Sequence, residues 1–417
     1  MKKSHKYGVK FSIIVLFCSV INSHFVFADH HSVFHSTALI DVRVAHTDEQ
    51  KSWLKGGFGK TRFGNGEPQT IGRLAEVALL SSYAFDAGFK GDLYLKHDSE
   101  QKNEVDVVEG FISFRSNLNE NIRYKIRAGI FFPPFSLENR SQGWLPTASI
   151  TPSAINGWIG DELKTMGGEM SLSYEAENSR LGIIGALFAH NDPVGSLLVW
   201  RGWTFGDRKT GWNDQVVLPE IPSIQATGSF KNQAHWVEPF TEIDDKIGFY
   251  SGLSWSNLDN ISTHLYYYDN RADQLKFDGF QYAWATHFIS ADLKILFHGG
   301  IELLTQYMSG NTQMGGKAVD VDFESYYLLL NKEFEQITVT MRYDYFSLKD
   351  KDLLVADDDN NENGNAWTVA MKYDLAKNHS FLLEAMTISS DRNAQAYFLK
   401  PKHTSEVRLQ GSLRLFF

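Results

Sequence analysis

The sequence predicts an all-β chain, an antiparallel sheet closed into a transmembrane barrel of sixteen strands. Three observations predict it. Apolar and polar residues alternate with a period of two in sixteen segments, the connections between them alternate long and short, and the first 28 residues read as an export signal.

The signal comes first. Residues 1–28 carry Lys2, Lys3, Lys6 and Lys10, then the apolar run from Phe11 to Ile21, then Val26-Phe27-Ala28, with cleavage expected before Asp29. The run is too short to cross a bilayer as a helix. Cys18 follows Phe17, where a lipid-attachment signal needs a small residue, so we read Cys18 as apolar filler. It is the one cysteine of the 417-residue chain, so removing the signal excludes disulfides and thiolate-bound metals. The signal holds four lysines and no acid, so its loss lowers the formal net charge of −10 by four, to −14. Such an acidic chain suits no nucleic-acid partner.

The strands lie at 36–46, 73–86, 88–98, 104–116, 121–131, 167–176, 181–190, 245–257, 260–270, 279–290, 292–308, 318–331, 335–348, 366–375, 379–390 and 404–417. Each is long enough to cross a membrane at a tilt. Three show their faces clearly. Ile122, Tyr124, Ile126, Ala128 and Ile130 oppose Arg123, Lys125, Arg127 and Gly129. Leu293, Ile295, Phe297, Ile301, Leu303 and Tyr307 oppose Lys294, His298, Glu302 and Gln306. Trp367, Val369, Met371 and Tyr373 oppose Thr368, Lys372 and Asp374. Mean hydropathy is only −0.28, which a barrel tolerates because alternate residues alone face lipid.

Residues 47–72, 132–166 and 191–244 are long connections; residue 87, Asn117–Glu120, Glu177–Arg180, Leu258-Asp259, Ala291, Lys332–Phe334 and Ala376–Asn378 are turns. The even strand count leaves both termini at the short-turn end. Tyrosines 266–268, 326–327, 343 and 345 fall near strand ends, as interfacial rings do.

In the closing segment Val407, Leu409, Leu413, Leu415 and Phe417 oppose Glu406, Arg408, Gln410, Ser412 and Arg414. This resembles the last strand of bacterial outer-membrane β-barrels. The resemblance implies residence in the outer membrane of a Gram-negative bacterium, contact with lipid and lipopolysaccharide, and recognition of Phe417 by the barrel-assembly machinery. The stretch Arg127-Ala-Gly-Ile-Phe-Phe-Pro-Pro-Phe-Ser-Leu-Glu-Asn-Arg140 resembles the segment that enters the third loop of phosphate-selective porins of the O and P type and their relatives. In sixteen-stranded porins that loop narrows the lumen, and many of them are homotrimers. Here loop 132–166 holds Trp144, Ile155, Trp158 and Ile159, too apolar for a solvated loop, and Ser153 is placed to cap a short helix ending near Lys164.

The candidate selectivity residues follow. Arg123, Lys125 and Arg127 share one face of one strand, so they either form an anion-attracting wall or pair with Glu109, Glu169 or Glu175. Arg140 and Lys294 are further cations, and Asp161 and Glu162 are acidic loop candidates. No cofactor or metal is expected. Asp357–Gly364 opens like a calcium loop from Asp359, but Ala370 stands where the closing Glu belongs; we read a solvated external loop that at most bridges calcium to lipopolysaccharide. His30-His31 near the terminus lacks further ligands. No nucleophile–histidine or zinc-hydrolase pattern supports catalysis, so we expect no enzyme. The expected function is passive diffusion of small hydrophilic solutes, anions among them. The alternative is a non-conducting structural or adhesin-type barrel plugged by loop 191–244, with Trp200, Trp203, Trp212 and Trp236; a barrel enzyme is a third reading.

Overall fold

A computed structural model describes residues 33–48, 50–85 and 88–417. The signal at 1–28, Cys18, His30-His31 and the turn at residue 87 lie outside them. Sixteen antiparallel strands close into one barrel. They are β1 (Val33–Thr47), β2 (Gln69–Ala84), β3 (Phe89–His97), β4 (Val105–Asn117), β5 (Ile122–Phe131), β6 (Thr165–Glu175), β7 (Arg180–Ala189) and β8 (Gly248–Ser256), then β9 (Ile261–Asp269), β10 (Ala285–Phe297), β11 (Ile301–Met314), β12 (Val319–Phe334), β13 (Ile337–Asp350), β14 (Glu362–Ala376), β15 (His379–Arg392) and β16 (His403–Phe416). Each strand pairs with its sequence neighbours, and β16 returns to β1 from Leu39↔Phe416 to His46↔Leu409. Closure satisfies the backbone groups that an open edge would leave bare in lipid. The last residue takes part: Phe417 N–H donates to Ala38 O at 3.0 Å, and Ala38 N–H donates to Phe417 O at 3.1 Å.

The alternation sorts the faces as the sequence predicts. Val407 and Leu409 of β16 are exposed on the outer face, while Glu406, Arg408, Gln410, Ser412 and Arg414 are buried within. Consecutive tyrosines split between faces for the same reason. Tyr266, Tyr268 and Tyr327 point inward and are buried, which corrects their assignment to an interfacial girdle. Tyr326 and Tyr345 stack at 5.2 Å between centroids.

Two further corrections concern boundaries. Ala291 is not a turn; it lies mid-strand in β10, opposite Leu265 and Tyr307. The turn is His298-Gly299-Gly300, whose glycines take φ of 80° and 75°. Nothing at Ala291 favours a reversal, whereas the Gly-Gly pair adopts positive φ without steric cost. Phe297 pairs with Ile301, so Lys294, Glu302 and Gln306 keep their inward face, and His298 leaves the wall. The residues from Gly279 to Trp284 belong to the preceding loop, where Phe277–Asp278 and Gln281–Tyr282 form a small hairpin. The calcium-like run ends inside β14, and Asp359 Oδ1 is engaged by the backbone and side-chain amides of Asn361.

Long and short connections alternate around the ring, and three of the long ones, which include residues 50–68, 132–164 and 190–247, carry buried runs inside the barrel. Residues 57–64, 154–165 and 191–211 are buried without a break. The hydrophobic core therefore sits inside the barrel, between these segments and the wall. At the short-turn end the lumen face is open to solvent: Arg115 and Arg123 are exposed there.

Candidate functional site

The segment after β5 crosses the lumen to the far wall. Its root is fixed by Arg127, which donates to both oxygens of Glu169 on β6 at 2.7 Å and to Phe132 O at 3.1 Å. Phe135 then packs among Tyr250, Tyr266, Tyr268 and Phe288, with centroids 5.1–6.2 Å away. The inward tyrosines exist for this contact: the wall of β8 to β10 is aromatic where the loop covers it. On the opposite side the loop's backbone is gripped by wall side chains. Glu384 of β15 accepts from Ile150 N–H at 2.7 Å and Thr151 N–H at 3.1 Å. Arg342 of β13 donates to Thr151 O (2.8 Å), Pro152 O (2.9 Å), Asp344 (2.8 Å) and Glu138 (3.3 Å). Arg414 of β16 donates to Pro146 O and Ile150 O at 3.2 Å.

Helix α1 (Ala154–Glu162) follows, and it starts where the sequence places it. Ser153 is its N-cap, in extended conformation, and its hydroxyl accepts from Asn156 N–H. Trp158 on this helix meets Phe323 of β12 at 5.1 Å and Trp203 at 5.9 Å.

Trp203 belongs to the second inserted segment, which carries helix α2 (Ser196–Arg201). The acidic pair at the end of α1 holds the two segments together. Asp161 accepts from Arg201 at 2.9 Å, and Glu162 accepts from Leu197 N–H at 2.9 Å and Leu198 N–H at 3.2 Å, closing the first turn of α2. Both carboxylates are fully buried. Asp161 and Glu162 therefore join loop to loop and do not line open water, where the sequence reading placed them. Two adjacent acids after a short apolar helix look the same in sequence whether they face water or a partner segment. Burial pushes the Glu162 carboxyl up to about 7, against the pull of the α2 amides and the Trp158 indole. Burial pulls Lys164, which donates to Thr210 O at 2.6 Å, down to about 7.

The β1–β2 connection and the segment after β7 are tied to the wall: Lys60 pairs with Glu362, Asp207 with Arg43, and Arg392 donates to Val199 O at 2.6 Å. Within the segment after β7, Arg208 pairs with Asp214. Trp200 and Trp203 are buried in the lumen, donating to Asp358 at 3.2 Å and Ser347 O at 3.0 Å.

The three cations of β5 have separate fates. Arg127 is neutralised by Glu169. Arg123 is exposed, 3.7 Å from a Glu175 that Arg180 already holds at 2.6 Å. Lys125, half-buried, has no carboxylate within salt-bridge distance among the described residues. The register sets it opposite Arg115, a cation the sequence reading passed over, although Ser113 and Arg115 alternate with Ile112 and Phe114. Arg140 lies 3.5 Å from Glu302, which Lys294 contacts at 2.7 Å, so these two share one acid on the lumen wall.

Comparison of the sequence with protein-family models and with curated proteins finds no match. Solved structures do match. The outer membrane channel DcaP of Acinetobacter baumannii aligns with TM-score 0.58 at 7% identity over 93% of this chain and 97% of that one. The anion-selective porin from Comamonas acidovorans aligns with TM-score 0.53 at 12% identity over 93% and 100%. Pseudomonas putida OprB aligns with TM-score 0.52 at 8% identity over 92% and 94%.

The chain has the fold of the outer-membrane porins.

Identities this low speak to the fold alone. Segment 132–164 runs from β5 to contacts with Glu384, Arg342 and Arg414 on the wall, and segment 190–247 packs against it through Asp161 and Glu162.

Proposed function

We propose that this chain is an outer-membrane channel that passes small hydrophilic solutes by diffusion, after export under a cleaved N-terminal signal. The observation that carries the reading is the closed barrel with a polar inner face, crossed from β5 to the far wall by a segment with its own helix. The apolar outer band would contact lipid and lipopolysaccharide, and the β16 strand with Phe417 would be the part read by the assembly machinery. Strands β5 to β9 have only 9–11 residues, against 13–16 in β10 to β15. Even the short strands are long enough to cross the bilayer at a tilt; assembly as a homotrimer belongs to this proposal only as what the porin resemblance implies. Arg123, Lys125 and Arg115 set the charge at the short-turn mouth, and Arg140, Glu302 and Lys294 set it beneath the crossing loop. A preference for anions belongs to this proposal.

One observation favours the second reading, a plugged barrel: residues 191–211 are buried throughout. Swelling of proteoliposomes in uncharged sugars of increasing size decides between them. The channel reading expects entry of the smallest sugars into vesicles holding the intact protein. Swelling seen only after deletion of residues 196–210 establishes the plug instead, and no swelling with either form removes the channel.

A further inference from the structure

We propose that segment 190–247 is an acid-locked gate: two buried carboxylates, Glu162 and Asp358, clasp helix α2 inside the lumen in acid and loosen their hold toward neutral pH. The inference rests on the channel reading and names what regulates the path. Glu162, at the end of α1, accepts from the Leu197 and Leu198 amides at 2.9 and 3.2 Å and from the Ser196 hydroxyl at 3.4 Å. Asp358, in the loop between β13 and β14, accepts from the Trp200 indole at 3.2 Å. At the far end of the helix Arg392 of β15 donates to Val199 O at 2.6 Å and to Trp200 O at 3.3 Å. The helix is thus gripped at both ends and on one side. It also sits between two glycines of positive φ, Gly195 at 102° and Gly202 at 89°. Glycines in such conformations absorb large backbone changes, so α2 has a hinge on either side.

Neither carboxylate has a cation within salt-bridge distance among the described residues. Arg201 of α2 is taken by Asp161 at 2.9 Å, and Arg392 turns to the backbone carbonyls. Around Glu162 stand Trp158 of its own helix, Ser196 and Arg201 of α2, and Tyr268 of β9. Around Asp358 stand Asp350 of β13, Asp352 and Asn360 of its own loop, Arg392 of β15 and Tyr397 of the next loop. Burial favours the neutral form of both acids. It pushes Glu162 up to about 7 and, with Asp350, pushes Asp358 up to about 6. Once α2 leaves, both acids meet water and return to their ordinary 4.5 and 3.8. The docked form therefore keeps protons at pH 5 that the released form gives up. This stabilisation is full below about pH 4 and is lost as pH rises through 6 and 7. Lys164 has the opposite sign: it faces Lys96, Asp106, Glu109 and Asp214, and burial pulls it down to about 7. Its influence on docking therefore changes only above pH 7 and is constant across the acid range. Against its own burial, Asp207 is held well below the usual carboxylate range by Arg43 and Arg62, so that tie of the same segment stays charged at pH 5.

The test is planar-bilayer recording of the intact protein at pH 7.5 and pH 5. The ratio of closed to open time is expected to rise about tenfold or more at pH 5. Glu162→Gln combined with Asp358→Asn keeps both side chains uncharged, so the double variant is expected to lose the pH response and stay closed at both values. Wild-type protein with equal dwell times, wild-type protein that opens in acid, or a double variant that still responds to pH each overturns the lock. Heat-modifiable migration reports whether the variant folds; if it does not, Asp358→Asn alone should weaken the response, and an unchanged response overturns Asp358 as part of the clasp. Hydrogen exchange of the Val199 and Gly202 amides, corrected for intrinsic rates, reads the lock without any current, with better protection expected at pH 5 than at pH 7.5. Protection that rises in acid with no current at either pH keeps the lock and loses the channel. Current with protection and dwell times that ignore pH keeps the channel and loses the lock.

Discussion

Replacing Arg342 with methionine should free the crossing loop from the far wall while leaving the barrel intact. The guanidinium is fully buried and contacts Asp344, Glu138, Thr151 O and Pro152 O at 2.8–3.3 Å. Methionine fills much of the volume but donates no hydrogen bond. Two buried carboxylates and two buried carbonyls then lose a donor together. Removing one partner of a buried ion pair costs about 3–5 kcal/mol, and the carbonyl contacts belong to the same unit, so we do not add them. Glu384 and Arg414 still hold neighbouring parts of the loop, which makes the effect a local opening rather than global unfolding. At 1.4 kcal/mol per factor of ten, protection of the loop amides should fall by about a hundredfold to a few thousandfold. Hydrogen exchange of the amides of Thr151, Ala154 and Gly157 measures it, with the amides of β3 as the internal control. Arg342→Lys keeps the charge without the planar fork and should fall between the two. Unchanged protection in a folded Arg342→Met barrel would show that the wall arginine does not hold the loop.

Other expectations follow from the same contacts. Ser153→Ala removes the cap of α1 and should cost about 1 kcal/mol, read as faster exchange of the Asn156 amide; an unchanged rate refutes the cap. Leu265→Arg places a charge mid-strand on the exposed outer face and should cost about 2–4 kcal/mol in urea unfolding from lipid vesicles, whereas Thr338→Arg on the lumen face should cost far less; equal costs would contradict the assignment of faces. Asp192, at the base of segment 190–247, accepts from Ile243 N–H and Asp244 N–H, and burial together with Glu242 and Asp244 raises its carboxyl to about 7 from an ordinary 3.8. The folded loop keeps a proton there that the opened loop releases, so this stabilisation is full below about pH 4 and is lost as pH rises through 7. The amides of Ile243 and Asp244 should be better protected at pH 5.5 than at pH 8 once intrinsic exchange is corrected, and Asp192→Asn should flatten that difference; the opposite slope would refute the assignment.

Much of the barrel is legible in the sequence because its physics is local. Lipid outside and polar contacts inside impose a period of two on every strand, and the cap at Ser153 needs only residues 153–156. The errors lie where one pattern has two causes. Ala291 reads as a turn between two period-two runs, although Gly299-Gly300 carries the backbone signal. Tyr266, Tyr268 and Tyr327 look like girdle residues until Phe135 and α1 are known to cover the inner wall. Asp161, Glu162 and Arg127 have the composition of pore-lining charges, and only the docking of 132–164 against 190–247 and β6 shows what they pair with. Contacts between segments hundreds of residues apart, such as Lys60 with Glu362, leave no local trace. Arg115 was readable, since it alternates like the β5 cations, but its significance depends on the register that sets it opposite Lys125.

The most direct test of the channel is the current through the purified protein in a planar bilayer. Insertion of the intact chain should raise the conductance in discrete, voltage-tolerant steps, and deletion of residues 196–210 should enlarge each step. Protein that inserts as a folded barrel yet carries no current, and begins to conduct only after that deletion, would contradict an open pathway.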